Sequence, residues 1–202
     1  MNTPNTRPLL TLVAAVSRDG YISTGRGVPW DLPRDRAHFR RLTAGQWLLL
    51  GRRTYEEMLG WFHHHHPLVL SHAADYQPPV GERVRTVEEA LARAARGGAR
   101  EVFVCGGSGA YSAALPLADR LVLTEVDILL GGGVSFPVIL PEQWQLTDRE
   151  NFPTDSENAL SMVFSTYQRR DASLKKDTEE DFRKRLDASR WGTPWWGWLW
   201  CF

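Results

Sequence analysis

"VFVCGGSGAY", residues 102–111, runs a short apolar, β-branched stretch into two glycines and out again into a serine-led segment. It reads as a strand, a tight turn and the start of a helix. A strand that feeds a helix is half of a βαβ crossover. A chain made of such units folds as α/β around a mostly parallel sheet. Glycines at such a junction also let the backbone approach an anion, and the helix N-terminus attracts it. A plain tight turn uses the same residues, so the motif alone leaves both readings open.

Working outward, the pattern repeats. Toward the N-terminus, "TVEEALARAARGG" (86–98) predicts a helix with Thr86 as N-cap, Glu89 as its capping-box partner and glycines as its stop. Before it, "PLVLS" (67–71), "QWLLLG" (46–51) and "LLTLVAAVS" (9–17) predict buried strands. "RTYEEMLG" (53–60) and "LPRDRAHFRRLTAG" (32–45) predict helices, the second with Pro33 in its first turn. Toward the C-terminus, "GAYSAALPLA" (109–118) predicts a helix, and "RLVLTEVDI" (120–128) a strand. "WQLTDRE" (144–150) and "LSMVFSTYQ" (160–168) predict two more strands, joined as a hairpin by "NFPTDSENA". The expected fold is a three-layer α/β domain. Its central, mostly parallel sheet has about eight strands, the C-terminal strand is antiparallel, and helices cover both faces.

Composition fits a soluble enzyme-sized domain. Lys+Arg and Asp+Glu balance at 24 each in 202 residues, so no basic field points to nucleic acid. The two cysteines, Cys105 and Cys201, have no metal-ligand spacing. "RPLLTLVAAVS" faintly resembles a secretion signal but leads into the turn "RDG", as a strand does. No stretch is long enough to span a bilayer. The expectation is a cytoplasmic monomer that binds a small molecule and no metal. After Arg170 the chain becomes charged and poor in apolar residues. It ends in "WGTPWWGWLWCF", which holds five of the nine tryptophans. The expected division is therefore a folded domain over 1–170 and a peripheral linker and tail over 171–202.

One helix carries an acid on its apolar side. In the segment from Leu32, helical phase groups Leu32, Asp35, Phe39, Leu42 and Thr43 on one face, and puts Arg34, Arg36, His38, Arg40 and Arg41 elsewhere. A carboxylate on a core-facing stripe must be paired or must meet a polar ligand. A buried ion pair, or an acid aided by the helix dipole, satisfies the same pattern. Asp31 sits just ahead of the helix and reads as its cap. "LLLGRRTYEEM" (48–58) is a second strand, glycine and helix start, here with Arg52, Arg53 and Thr54. Two arginines there suit a phosphate, or form an exposed basic turn.

Taken together, "VAAVSRDGYI", "PWDLPRDRAHF", "GRRTYE", "PLVLS", "VFVCGGSGAY", "LVLTEVD" and "SFP" resemble the dihydrofolate reductase family, in the family's order, from about Leu9 to Arg170. The Pro-Trp-x-Leu-Pro-x-Asp pattern with a later Phe is the specific part. It separates this family from the pyrimidine reductases of the riboflavin pathway, which share the fold and the glycine motifs. The resemblance implies NADPH as cofactor, and hydride transfer to C6 of dihydrofolate with a proton delivered to N5. It implies that Asp35 binds N3 and the 2-amino group of the pterin. Trp30 would pack over the site, Thr124 would orient Asp35, and Tyr111 would lie near the nicotinamide. Val13, Ala14, Phe39 and Met58 would line the substrate cleft. Ala15 and Ile22 would lie by the nicotinamide. Arg52, Arg53, Thr54 and Ser71 would grip the adenosine end, with Gly106, Gly107, Ser108, Gly109 and Ala110 under the pyrophosphate.

Three positions depart from the family pattern. His65, within "HHHH" (63–66), stands where the family has an arginine for the substrate's glutamate tail. Gly133 replaces an acid linked to loop closure, and Ser23 replaces a glycine. These departures leave two alternatives: a same-fold NADPH reductase of another pteridine or a pyrimidine, and a nucleotide-binding protein without turnover.

Overall fold

The computed structural model describes residues 7–25 and 27–170. The predicted linker and tryptophan-rich tail, 171–202, lie outside the described residues.

Among the described residues, ten strands and four α-helices follow one another in this order: β1 (Leu9–Ser17), β2 (Tyr21–Ser23), α1 (Pro33–Thr43), β3 (Trp47–Gly51), α2 (Arg52–Glu57), β4 (His66–Leu70), β5 (Glu82–Val84), α3 (Val87–Arg96), β6 (Glu101–Val104), α4 (Ser108–Ala114), β7 (Arg120–Val126), β8 (Val134–Ser135), β9 (Trp144–Phe152) and β10 (Met162–Arg169). Eight strands form the main sheet in the order β5-β4-β3-β6-β1-β7-β10-β9, and β2 pairs with β8 separately. All neighbours from β5 to β7 are parallel; β10 alone runs against both β7 and β9. This is the expected sheet.

The central strands explain why the apolar runs were so legible. Parallel strands are covered on both faces, so Leu10, Leu12, Leu48, Leu49, Leu50, Val102 and Val104 are all buried. Right-handed crossovers put α1 and α2 on one face and α3 and α4 on the other. Tyr55 of α2 accordingly shares a core cluster with Val13, Leu50, Phe103 and Val122, against which Phe39 and Leu42 of α1 pack. The sheet's edges are protected in two ways. β5 has only three residues, and β9 exposes its polar run between Trp144 and Phe152.

The capping box of α3 forms with one shift. Thr86 Oγ1 accepts the Glu89 N–H at 3.1 Å, while the Glu89 carboxylate accepts the N–H of Arg85, at 2.8 Å, rather than that of Thr86. Losing an N-cap hydroxyl costs about 1 kcal/mol. Thr86→Ala is therefore expected to lower the melting temperature by a few degrees without changing turnover, as thermal unfolding and a steady-state assay would show.

Three short strands were not predicted. β5 (ERV) is polar and brief, and β2 and β8 are two to three residues in glycine-rich surroundings. The predicted helix over 109–118 ends at Ala114, and Pro116 continues it only as a 3-10 turn over Leu115–Leu117.

Candidate active site

The carboxyl ends of β1, β3, β4 and β6 open into a cleft of about 650 Å³, closed by α1, α2, α4 and the segment around β2. Parallel α/β sheets place ligands at this end, where neighbouring crossovers diverge. Strand order puts β1 between β6 and β7, so the cleft floor comes from β1, with Val13, Ala14 and Ala15 lining it.

Asp35 enters from the first turn of α1 and lines the cleft with Phe39 and Thr124. Thr124 is buried on β7, directly across from Ala15 of β1. Its hydroxyl faces the Asp35 carboxylate and favours the charged form. Burial raises the Asp35 pKa, and Thr124 and the charge of Arg36 only partly oppose that rise. The helical-phase reading of Asp35 is thus correct in placement. His38 was assigned to an outer face, and this is corrected. It follows Asp35 by three residues, lines the cleft, and stacks on Phe164 at 4.1 Å between ring centroids.

The cap reading of Asp31 is also corrected. Asp31 makes an ion pair with Arg36, and the N-cap position belongs to Leu32, which offers no side-chain cap. The acceptor comes from 124 residues away: Asn158 Oδ1 takes the Arg34 N–H at 3.1 Å. The Asn158 side-chain N–H donates in turn to the Asp155 carboxylate at 2.8 Å, and Arg34 pairs with Asp155 at 2.9 Å. The β9–β10 turn therefore clamps the helix turn that carries Asp35. The Asn158 side chain and the N–H groups of Glu157 and Asn158 push the Asp155 pKa down to about 2. A lowered carboxyl pKa contributes stability above the unfolded value that is lost as pH falls, so this clamp stays charged until pH approaches about 2.

Where α2 and α4 begin, two glycine turns meet at the cleft wall. The Gly51 N–H, leaving β3, donates to Gly106 O at 2.7 Å. Gly106 has φ +120°, and an added Cβ would lie 3.1 Å from Thr54 Cγ2; at Gly107 it would lie 3.0 Å from Thr54 Oγ1. The space beside these turns exists because no side chain fills it. Arg52 bonds Glu56 at 2.8 Å and lies over the Tyr76 ring; Arg53 pairs with Glu57 at 3.6 Å. Both pairs are exposed, so each is weak and exchangeable for an anionic ligand. Ile22, Arg52, Arg53, Thr54 and the run Gly106, Gly107, Ser108, Gly109, Ala110 and Tyr111 all line the cleft. Tyr111 is buried and donates to Val13 O at 2.6 Å, and burial raises its pKa well above the usual tyrosine value.

Three predicted positions stand outside the lining. Ser71 is buried behind it, and Leu70 and His72 on either side line the cleft instead. Met58, like Phe39, packs against the adjoining core cluster. Trp30 packs with Leu32 and Phe164, and its buried indole N–H has no acceptor among the described residues. Cys105 lines the cleft and was not singled out, although it directly precedes the glycines. His65 stacks on Trp61 at 4.2 Å; burial, then its histidine neighbours, lower its pKa. No cluster with three or more candidate metal ligands occurs among the described residues.

A family model described as dihydrofolate reductase matches residues 9–169. The chain belongs to the dihydrofolate reductase family. It is 34% identical to the type 3 dihydrofolate reductase of Salmonella typhimurium over 161 residues, 80% of this chain and 98% of that one. Against the Mycobacterium tuberculosis dihydrofolate reductase it is 37% identical over 145 residues, 68% of this chain and 84% of the other. The structure of Enterococcus faecalis dihydrofolate reductase complexed with NADP(H) and RAB-propyl superposes with a TM-score of 0.73, at 30% identity, over 81% of this chain and 97% of that one. The match covers every element from β1 to β10, so the activity is that of a dihydrofolate reductase.

Proposed function

We propose that the cleft reduces 7,8-dihydrofolate to 5,6,7,8-tetrahydrofolate with Asp35 at its centre. The single observation that carries this is Asp35 itself: a carboxyl on the apolar face of α1, desolvated, tied to Thr124 and facing an open cleft. A carboxylate accepts two parallel N–H bonds, which matches the N3 and 2-amino edge of a pteridine. Phe39, Val13 and Ala14 bound the flat space beside it. Thr124 orients the acid, and Trp30 supports the start of α1 from the cluster beneath.

NADPH supplies the hydride. The residues suited to hold it are Arg52, Arg53 and Thr54 at the adenosine end and Gly106 to Ala110 at the pyrophosphate, with Ala15, Ile22 and Tyr111 toward the ring. Ser71 contributes by backing the strand end whose neighbours line the site. The chain's own share of the chemistry is to bring two rings face to face and to favour a proton on N5 beside a nearby carboxylate. The raised pKa of Asp35 keeps that acid protonated to a higher pH than an ordinary aspartate. Hydride transfer is therefore expected to fall as pH rises, with an inflection above the usual carboxylate value.

His65 stands where the family carries an arginine. Its lowered pKa keeps the imidazole neutral near pH 7, so it supplies no fixed charge to a glutamate tail. The KM for dihydrofolate is accordingly expected to lie close to that for a tail-less dihydropterin. A KM lower by two orders of magnitude for dihydrofolate would contradict this.

The family match ends at residue 169, which supports a catalytic domain over 1–170 with 171–202 peripheral to it. Deleting 171–202 should leave reductase activity intact. Among the described residues no helix is long and apolar enough to cross a membrane; a cytoplasmic monomer is the reading we adopt. The experiment that tests the proposal is NADPH oxidation with dihydrofolate as the only acceptor. Steady turnover is expected; cofactor binding without oxidation would overturn it.

A further inference from the structure

The segment after β7 returns across the loop that walls the cofactor half of the cleft. Its contacts centre on Asp19, in the turn between β1 and β2. The Asp19 carboxylate accepts the Gly131 N–H at 2.7 Å and the Leu130 N–H at 3.1 Å. It also accepts the Ser17 hydroxyl at 2.7 Å, whose oxygen takes the Tyr21 N–H at 2.9 Å. Further along, the Phe136 N–H donates to Gly20 O at 2.9 Å, and β2 pairs with β8 through Tyr21–Ser135 and Ser23–Val134. Gly133 has φ +136°, and a Cβ there would lie 2.2 Å from Ser23 O. Ile22, Ser23, Gly25, Gly27 and Val28 line the cleft from the loop, and Val134 lines it from the returning segment. Ser108 Oγ donates to Ser135 O at 2.9 Å, tying the same segment to the glycine turn of α4.

We infer that Asp19 is a positioning residue for the cofactor half of the active site. Its carboxylate latches residues 130–131 to the β1–β2 turn and so sets where Ile22, Ser23 and Gly25 stand along the cleft. Two backbone N–H groups and one hydroxyl converge on it, and only a carboxylate has the acceptor capacity for all three. Burial disfavours its charge, but the Ser17, Gly131 and Leu130 hydrogen bonds outweigh that and hold its pKa below the usual value. The latch explains why Gly133 needs no acid. Ser23 O occupies the space a side chain at 133 would take, and the acid that joins the two segments comes from residue 19 on the opposite side.

The inference rests on the cofactor assignment made above, and the test separates the two. Asp19→Ala, Asp19→Asn and Gly133→Ala would be compared with the full-length protein. The readouts are NADPH affinity by fluorescence quenching, dihydrofolate affinity, single-turnover hydride transfer and melting temperature. Loss of a charge-accepted pair of hydrogen bonds predicts NADPH affinity and hydride transfer each reduced about tenfold in Asp19→Ala. Dihydrofolate affinity should stay within about twofold on the same scale. Asp19→Asn keeps the size and one acceptor oxygen and should fall between; Gly133→Ala should match Asp19→Ala by displacing Ser23. Unchanged NADPH affinity and hydride transfer would overturn the proposal. So would equal losses for both ligands that track the fall in melting temperature, since those mark a stability role alone. Wild-type protein that binds NADPH without reducing dihydrofolate would overturn the activity instead, and NADPH affinity in the variants would still decide the latch.

Discussion

Asp35→Asn is expected to lower turnover at neutral pH by about a hundredfold or more, the usual scale for losing an acid–base group, while NADPH binds as in the wild type. The substitution keeps the shape of the side chain beside Thr124 but removes the charge. An amide offers one acceptor where the carboxylate offers two, and it cannot take up a proton. Asp35 comes from the first turn of α1, a different wall of the cleft from the two glycine turns. Cofactor affinity should therefore be spared. Measuring kcat and NADPH dissociation on the same preparation checks both halves. A variant with full turnover would remove Asp35 from the mechanism. A variant that has lost NADPH as well would point to a collapsed cleft.

Gly106→Ala is expected to produce the opposite split. The residue has φ +120°, a region open to glycine and strained for other residues, and the added methyl meets Thr54 Cγ2 at 3.1 Å. Such strain costs on the order of 1–3 kcal/mol. The turn also accepts the Gly51 N–H, so relief of the clash would shift the exit of β3 as well. NADPH affinity should fall by about ten- to a hundredfold, with dihydrofolate affinity much less affected. Titration of each ligand alone distinguishes this from general destabilisation, which would weaken both.

The parts of the fold that were legible in the sequence are those whose burial is nearly complete. β1, β3, β4, β6 and β7 are apolar because both sheet faces are covered, and α3 announces itself through Thr86 and Glu89. β2, β5 and β8 gave no signal because each holds three residues or fewer and borrows its order from a neighbour. The site shows the same division. Asp35 was found by helical phase, which is a local property. The capping of its helix was not, because Asn158 arrives from 124 residues away and Asp31, the local candidate, pairs with Arg36 instead. His38 escapes a purely apolar stripe because imidazole is polar, yet it follows Asp35 by three residues and lines the cleft. Ser71 follows directly on β4, and its neighbours Leu70 and His72 face the cleft while its own side chain is buried. The Asp19 latch joins residues more than 110 positions apart and follows from no spacing rule.

The most direct test of the account is single-turnover hydride transfer from NADPH to dihydrofolate, followed across pH in wild-type protein and in Asp35→Asn. The wild-type rate is expected to fall as pH rises through an inflection above the ordinary aspartate range. The variant is expected to be slow throughout and to have lost that inflection. A variant that keeps the wild-type rate and the same inflection would contradict the account.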